Sequence, residues 1–143
     1  MAGFIFNQGA YQLQLKSGAD WDTDTIHARL ITTAAGAPSV DADTMSGIGT
    51  AEASGDTTVT TCVGPTLDDT GDTVKYSSDT LTFTSAALAI GACNRVAFYK
   101  YVAGGDANCI PIACVEITEV TPNGGNITVA CPSAGWFYTD QQP

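Results

Sequence analysis

The densest set of candidate chemical groups is Asp20-Trp21-Asp22-Thr23-Asp24. Acids at alternate positions are how a calcium loop begins, with oxygen ligands wrapping a hard cation. An EF-hand then needs Gly at the sixth place and Glu at the twelfth. Thr25 and Ile31 stand there instead, so the stretch reads as a solvated turn that runs into a strand. Asp41-Ala42-Asp43 and Asp68-Asp69 are further acid pairs. Two carboxylates can hydrolyse a glycoside, but only across a cleft, which closeness in sequence does not supply. His27 is the single histidine, so any triad or dyad with a histidine base must use it. No Gly-x-Ser-x-Gly elbow and no Cys-His signature accompanies it, and it reads as an exposed strand residue.

Five cysteines are present: Cys62, Cys93, Cys109, Cys114 and Cys131. None is spaced Cys-x-x-Cys, and with one histidine they predict no zinc site. They read as small buried thiols, with the alternative that at least one reaches a neighbouring subunit and oxidises after cell lysis. Gly104-Gly105 and Gly124-Gly125 lack the lysine and the helix of a phosphate-binding loop and read as turns. Asn126-Ile127-Thr128 matches a glycosylation sequon, which matters only in a secreted chain. The reading therefore assigns no catalytic residue, no metal and no cofactor, and expects a structural or binding module rather than an enzyme. A hydrolase is the weakest alternative, because no residues are found for it.

The elements that would position such groups read as short strands. Tyr11, Leu13 and Leu15 alternate with Gln12, Gln14 and Lys16, the period of a half-buried strand. Thr25 to Thr33 is a second strand, with Ile26, Ala28 and Leu30 on one face and His27 and Arg29 on the other. Residues 34–53 are rich in Gly, Ala, Asp and Ser and read as a long surface excursion. Strand composition returns at Thr57–Val63, then at Thr73–Tyr76 and Thr80–Thr84 around the Ser77-Ser78-Asp79 corner. Arg95–Val102 is a strong strand, Ala103–Asn108 a turn, and Ile110–Thr118 a strand entered through Pro111. Thr121-Pro122-Asn123-Gly124-Gly125 supplies positive φ for a turn into Ile127–Val129. Trp136-Phe137-Tyr138 reads as a last strand, so the chain is expected to close its core with a final hairpin. About eight short strands separated by turns give an all-β chain, one domain over 1–143, in a sandwich or barrel of jelly-roll or immunoglobulin-like type. No amphipathic helix and no internal repeat is expected.

The bulk numbers agree. At 143 residues the chain is long enough to bury a core without a staple. Only 14% of residues are charged, and the net charge is −10. A phosphate backbone would be repelled, which excludes nucleic acid as a direct partner. The N-terminal residues lack a basic segment and a long apolar run, and the Ala86–Cys93 run is too short to span a bilayer. The expectation is a soluble chain made in the cytoplasm with no membrane partner.

Four stretches resemble a group of small virion structural proteins of tailed bacteriophages. They are FNQGAYQLQLKSGADWDTDTIHARLIT, DADTMSGIGTAEASG, DTLTFTSAALAIGACNRVAFYKYVAG and NCIPIACVEITEVTPNGGNITVACPSAGWFY. The last is most similar: an apolar strand, Thr-Pro-Asn-Gly-Gly, an Ile-Thr-Val strand and an aromatic end. This chain departs from the family in its five cysteines and in a short segment around Thr60–Gly64, where the family has Tyr and Gly. The resemblance accepts a short helix in place of the Tyr11–Leu15 strand. It implies a head decoration (cement) protein at the capsid surface, bound to the major capsid protein and to neighbouring copies of itself as trimers. It also implies that an intermolecular disulfide through Cys62 or Cys109 would lock the coat if either lies at a subunit boundary. A tail, neck or fibre-attachment component is the alternative. A carbohydrate- or receptor-binding module is another, with Tyr76, Tyr99, Tyr101, Trp136 and Tyr138 as a stacking platform.

Overall fold

Branched and aromatic side chains fill the alternating stretches, and these pack best on a pleated surface. The computed structural model describes residues 3–14, 18–48, 59–69, 73–84 and 91–140. Among them the fold is all-β and sandwich-like, with antiparallel pairing throughout and one eight-residue helix. The elements run β1 (Gly3–Ile5), α1 (Asn7–Gln14), β2 (Ile26–Thr32), β3 (Val59–Thr61), β4 (Thr66–Asp68) and β5 (Thr73–Ser77). They continue as β6 (Leu81–Phe83), β7 (Cys93–Lys100), β8 (Ile110–Val120), β9 (Ile127–Val129) and β10 (Phe137–Asp140). The largest sheet has the order β1-β8-β7-β2-β3, the second β10-β5-β4, and the third pairs β6 with β9.

The five-stranded sheet is buried on both faces, and strand parity assigns its side chains. Ile26, Ala28 and Leu30 of β2, Val96 and Phe98 of β7, and Ala113 and Val115 of β8 pack into the main core. Tyr76, Leu81, Phe83, Ile127 and Phe137 from the two smaller sheets complete it. Trp21 joins these layers, meeting Tyr76, Phe98 and Phe137 edge-on at 5.2–5.8 Å. Its indole N–H donates to the Ser77 carbonyl at 2.9 Å, so the ring is buried without an unpaired donor. Each large side chain so buried contributes about 1.5–3 kcal/mol. The opposite face carries Ile31, Ala97, Tyr99 and Cys114 under Phe6, Ala42, Met45, Ile48 and Cys109.

The sequence predicts a strand at Tyr11–Leu15, but residues 7–14 are helical. The reason is tertiary. β8 carries a bulge, since Phe98 pairs with Ala113 but Tyr99 with Pro111, leaving Ile112 as the extra residue. The bulge frees the Ile112 carbonyl, which accepts from the Phe6 N–H at 2.9 Å. The helix then lies on β8 at Gly9, where an added Cβ would stand 2.3 Å from the Ile112 carbonyl oxygen. Only glycine permits that approach.

Other expectations change in the same way. Residues 34–48 are more than a surface excursion: Ala42, Met45 and Ile48 are buried and cover the second face of the large sheet. The remainder of the 34–53 loop, and residues 86–90, lie outside the described residues. Two three-residue strands, β1 and β4, add to those that the sequence predicts. β5 and β6 flank one corner yet join different sheets. The final hairpin is also absent, because β9 pairs with β6 and β10 with β5. The aromatic end still closes the core through Trp136 and Phe137, while Tyr138 points outward. The turn before it needs Gly135, which has φ 81° and sits where a Cβ would meet the Tyr76 carbonyl at 2.9 Å.

Candidate functional site

The acidic corner is a structural device. The Asp24 N–H donates to the Asp20 carbonyl at 2.9 Å, and the Asp20 N–H donates to the Asp24 carboxylate at 2.7 Å. Lys100 pairs with that carboxylate at 2.9 Å and donates to the Gly18 carbonyl at 2.8 Å. The corner thus holds itself over Trp21, and one Asp24 oxygen, Oδ2, takes both the Asp20 N–H and the Lys100 ammonium. Asp22 is fully exposed, and its carboxyl is raised above the ordinary range by a hydrogen bond with Asp20. No group of three or more metal-ligating side chains forms among the described residues. Asp41 accepts from the Asn7 amide, and Asp68 sits 4.0 Å from Lys75 at the surface.

The polar side of β2 builds something else. His27 and Arg29 project from the same face, beside Tyr99 of β7, which pairs with His27. His27 is half-buried rather than exposed: it stacks on Tyr101 at 4.5 Å and 19°, and meets the Tyr99 edge at 5.6 Å. Arg29 is only 7% exposed. Its two terminal nitrogens donate to the two Asp106 oxygens at 2.9 and 2.8 Å. Its guanidinium also lies 5.3 Å from the Tyr99 ring centre. A buried arginine needs such a planar, two-point partner.

These groups border a recess of about 400 Å³ at the β3 side of the large sheet. Val59, Thr60 and Thr61 form one wall, and Gly105, Asp106 and Cys109 from the turn after β7 form the other. Burial pushes the Tyr99 phenol up to about 12, so it remains a hydrogen-bond donor at neutral pH. Arg29 and Asp106 lie far apart in sequence, and only the structure brings them together. An arginine alternating with apolar residues in a strand was the one available hint.

A second recess, of about 580 Å³, is mostly apolar. It runs between β1 and β10 and is lined by Phe4, Ile5, Val115, Trp136, Phe137 and Tyr138. Among the described residues both strands are the outermost members of their sheets.

The thiols are all free. Cys62 and Cys109 are 5% and 2% exposed, and they belong to different core clusters. The Cys109 sulfur exchanges hydrogen bonds of 3.5 Å with the Val102 backbone. Burial pushes Cys62 and Cys114 up to about 12 and Cys93 up to about 11, which leaves them as unreactive thiols. An intermolecular bond through Cys62 or Cys109 would require the fold to open locally.

The five-residue aromatic platform does not form. Tyr76, Tyr99 and Trp136 are buried, and Tyr101 and Tyr138 face different recesses. No helix among the described residues is long and apolar enough to cross a membrane. No family model, no curated protein and no solved structure matches the chain.

Proposed function

We propose that this chain is a virion structural protein of a tailed bacteriophage. In this reading it is a non-catalytic head decoration protein that binds the major capsid protein lattice and neighbouring copies of itself. One observation carries the reading beyond the sequence resemblance: β1 and β10, edge strands of two different sheets, flank the same apolar recess. An edge strand presents unpaired N–H and C=O groups, which another extended chain satisfies. A strand laid there would gain backbone hydrogen bonds and bury Phe4 and the exposed face of Tyr138. The net charge of −10 makes free copies repel one another, so contacts at sparsely charged edges suit an assembly held by a lattice. A ligand that binds only the assembled shell stabilises it by mass action, and many copies act together.

The test uses particles of the parent phage stripped of this protein. Purified chain is added back, and binding is read by co-sedimentation and by image reconstruction. Saturable binding over the head surface, with higher particle melting temperature, is the expected result. Absence from the head, or only a few copies located at the tail, would overturn the assignment.

A further inference from the structure

We propose that Asn123, in the turn between β8 and β9, is a site of spontaneous covalent modification. Its side-chain amide is lost to attack by the next backbone nitrogen, which leaves aspartate and isoaspartate. The inference does not rest on the virion reading. Asparagine occurs at Asn7, Asn94, Asn108, Asn123 and Asn126, and Asn123 alone precedes a glycine. The others are followed by Gln8, Arg95, Cys109 and Ile127, whose side chains crowd the attacking nitrogen. The turn also supplies what the reaction needs. Gly124 has φ 84°, and an added Cβ would meet nothing within 4 Å, so its nitrogen is unshielded. Among the described residues the Gly124 N–H donates to no partner.

The electrophile is Asn123 Cγ. Its Oδ1 accepts from the Gly125 N–H at 2.9 Å, so the side chain folds back along its own turn. That donor faces the oxygen on which negative charge develops when a nitrogen adds to Cγ, and it stabilises the oxyanion. Residues 123–126 are exposed, so water reaches the group. The Gly124 nitrogen loses its proton and bonds to Cγ. The Cγ–Nδ2 bond breaks, and the amide nitrogen leaves with that proton as ammonia, closing an imide ring. Water then opens the ring at one of its two carbonyls. Opening at Cγ gives aspartate; opening at the main-chain carbonyl gives isoaspartate, with the chain rerouted through the side chain. The net change exchanges ammonia for water, with no oxidant or cofactor. It adds one negative charge to the −10 at an exposed corner, between buried Pro122 and Ile127.

The experiment holds the full chain folded at mildly alkaline pH, where the nitrogen gives up its proton more readily. Ion exchange follows the rise of an acidic form, and peptide mass spectrometry locates the change. A buried oxyanion donor is worth about 10²–10³ in rate and an exposed one less, so Asn123 should run about tenfold or more ahead of each other asparagine. The product at that position should be a mixture of aspartate and isoaspartate. Asn123→Gln has a longer side chain that closes the ring poorly, and it should lose the acidic form. If that variant does not fold, the site-by-site rates in the parent chain decide the matter alone. No conversion at Asn123 in the folded chain, earlier conversion at another asparagine, aspartate without isoaspartate, or an acidic form that persists in Asn123→Gln would each overturn the proposal.

Discussion

Asp106→Ala removes both oxygens that the Arg29 guanidinium meets at 2.8 and 2.9 Å. The arginine side chain is 8% exposed and the aspartate side chain 24%, so water can replace only part of what is lost. Breaking a buried pair by deleting one partner costs about 3–5 kcal/mol. Partial access through the recess places this variant near the lower end, about 3 kcal/mol. For a domain of this size that corresponds to a fall in melting temperature of about 10 °C. Urea unfolding followed by tryptophan fluorescence reads it directly, since Trp21 and Trp136 are both buried. Arg29→Met in the Asp106→Ala background should restore roughly 1–2 kcal/mol, because the stranded charge is gone. If Asp106→Ala lies within about 0.5 kcal/mol of the parent, or the two changes simply add, the pair does not hold this turn to β2.

Three further outcomes follow from the same packing. Gly9→Ala should destabilise by about 1–3 kcal/mol despite the better helix former, because the new Cβ meets Ile112 backbone atoms at 2.3–2.8 Å; an unchanged urea midpoint would contradict that contact. Stability should fall in alkali: Cys62, Cys114, Cys93 and Tyr99 all have folded values raised to about 11–12 from 9 or 10. Their contribution is complete below about pH 9 and is lost as pH rises towards 12, so a midpoint flat between those limits would refute it. In the native protein a thiol reagent should label half-buried Cys131 first, with Cys62 and Cys109 reacting only as fast as the fold opens. Mass spectrometry that finds Cys62 or Cys109 labelled as quickly as Cys131 would show those sulfurs to be accessible.

The long strands were legible in the sequence because each buries both faces of an extended segment. β2, β7 and β8 lie, to within a residue or two at each end, where Thr25–Thr33, Arg95–Val102 and Ile110–Thr118 predict them. β1 (Gly-Phe-Ile) and β4 (Thr-Leu-Asp) lack the apolar-polar-apolar alternation that marks the equally short β6 (Leu-Thr-Phe) and β9 (Ile-Thr-Val). The Tyr11–Leu15 alternation misled because Gly9 and Leu13, four residues apart, also share a helix face. What selects the helix is the bulged backbone at Ile112, over a hundred residues further on. The recess was illegible for a similar reason. His27 and Arg29 read as a polar strand face, but the residues that cover them arrive from β7 and the turn after it. Sheet membership was likewise hidden, since a corner such as Ser77–Asp79 looks the same whether its flanking strands pair or part.

The last three strands go to three different sheets: β8 to the largest, β9 to the smallest and β10 to the third. β8 also pairs with β1, so the first strand made must wait for one of the last. A ribosome delivers residues in order, and no sheet of this molecule is whole until its late strands have emerged. Such long-range pairing slows folding, and the nascent chain carries bare strand edges in the meantime. Until the late strands cover them, those edges are where unfinished copies can pair with one another.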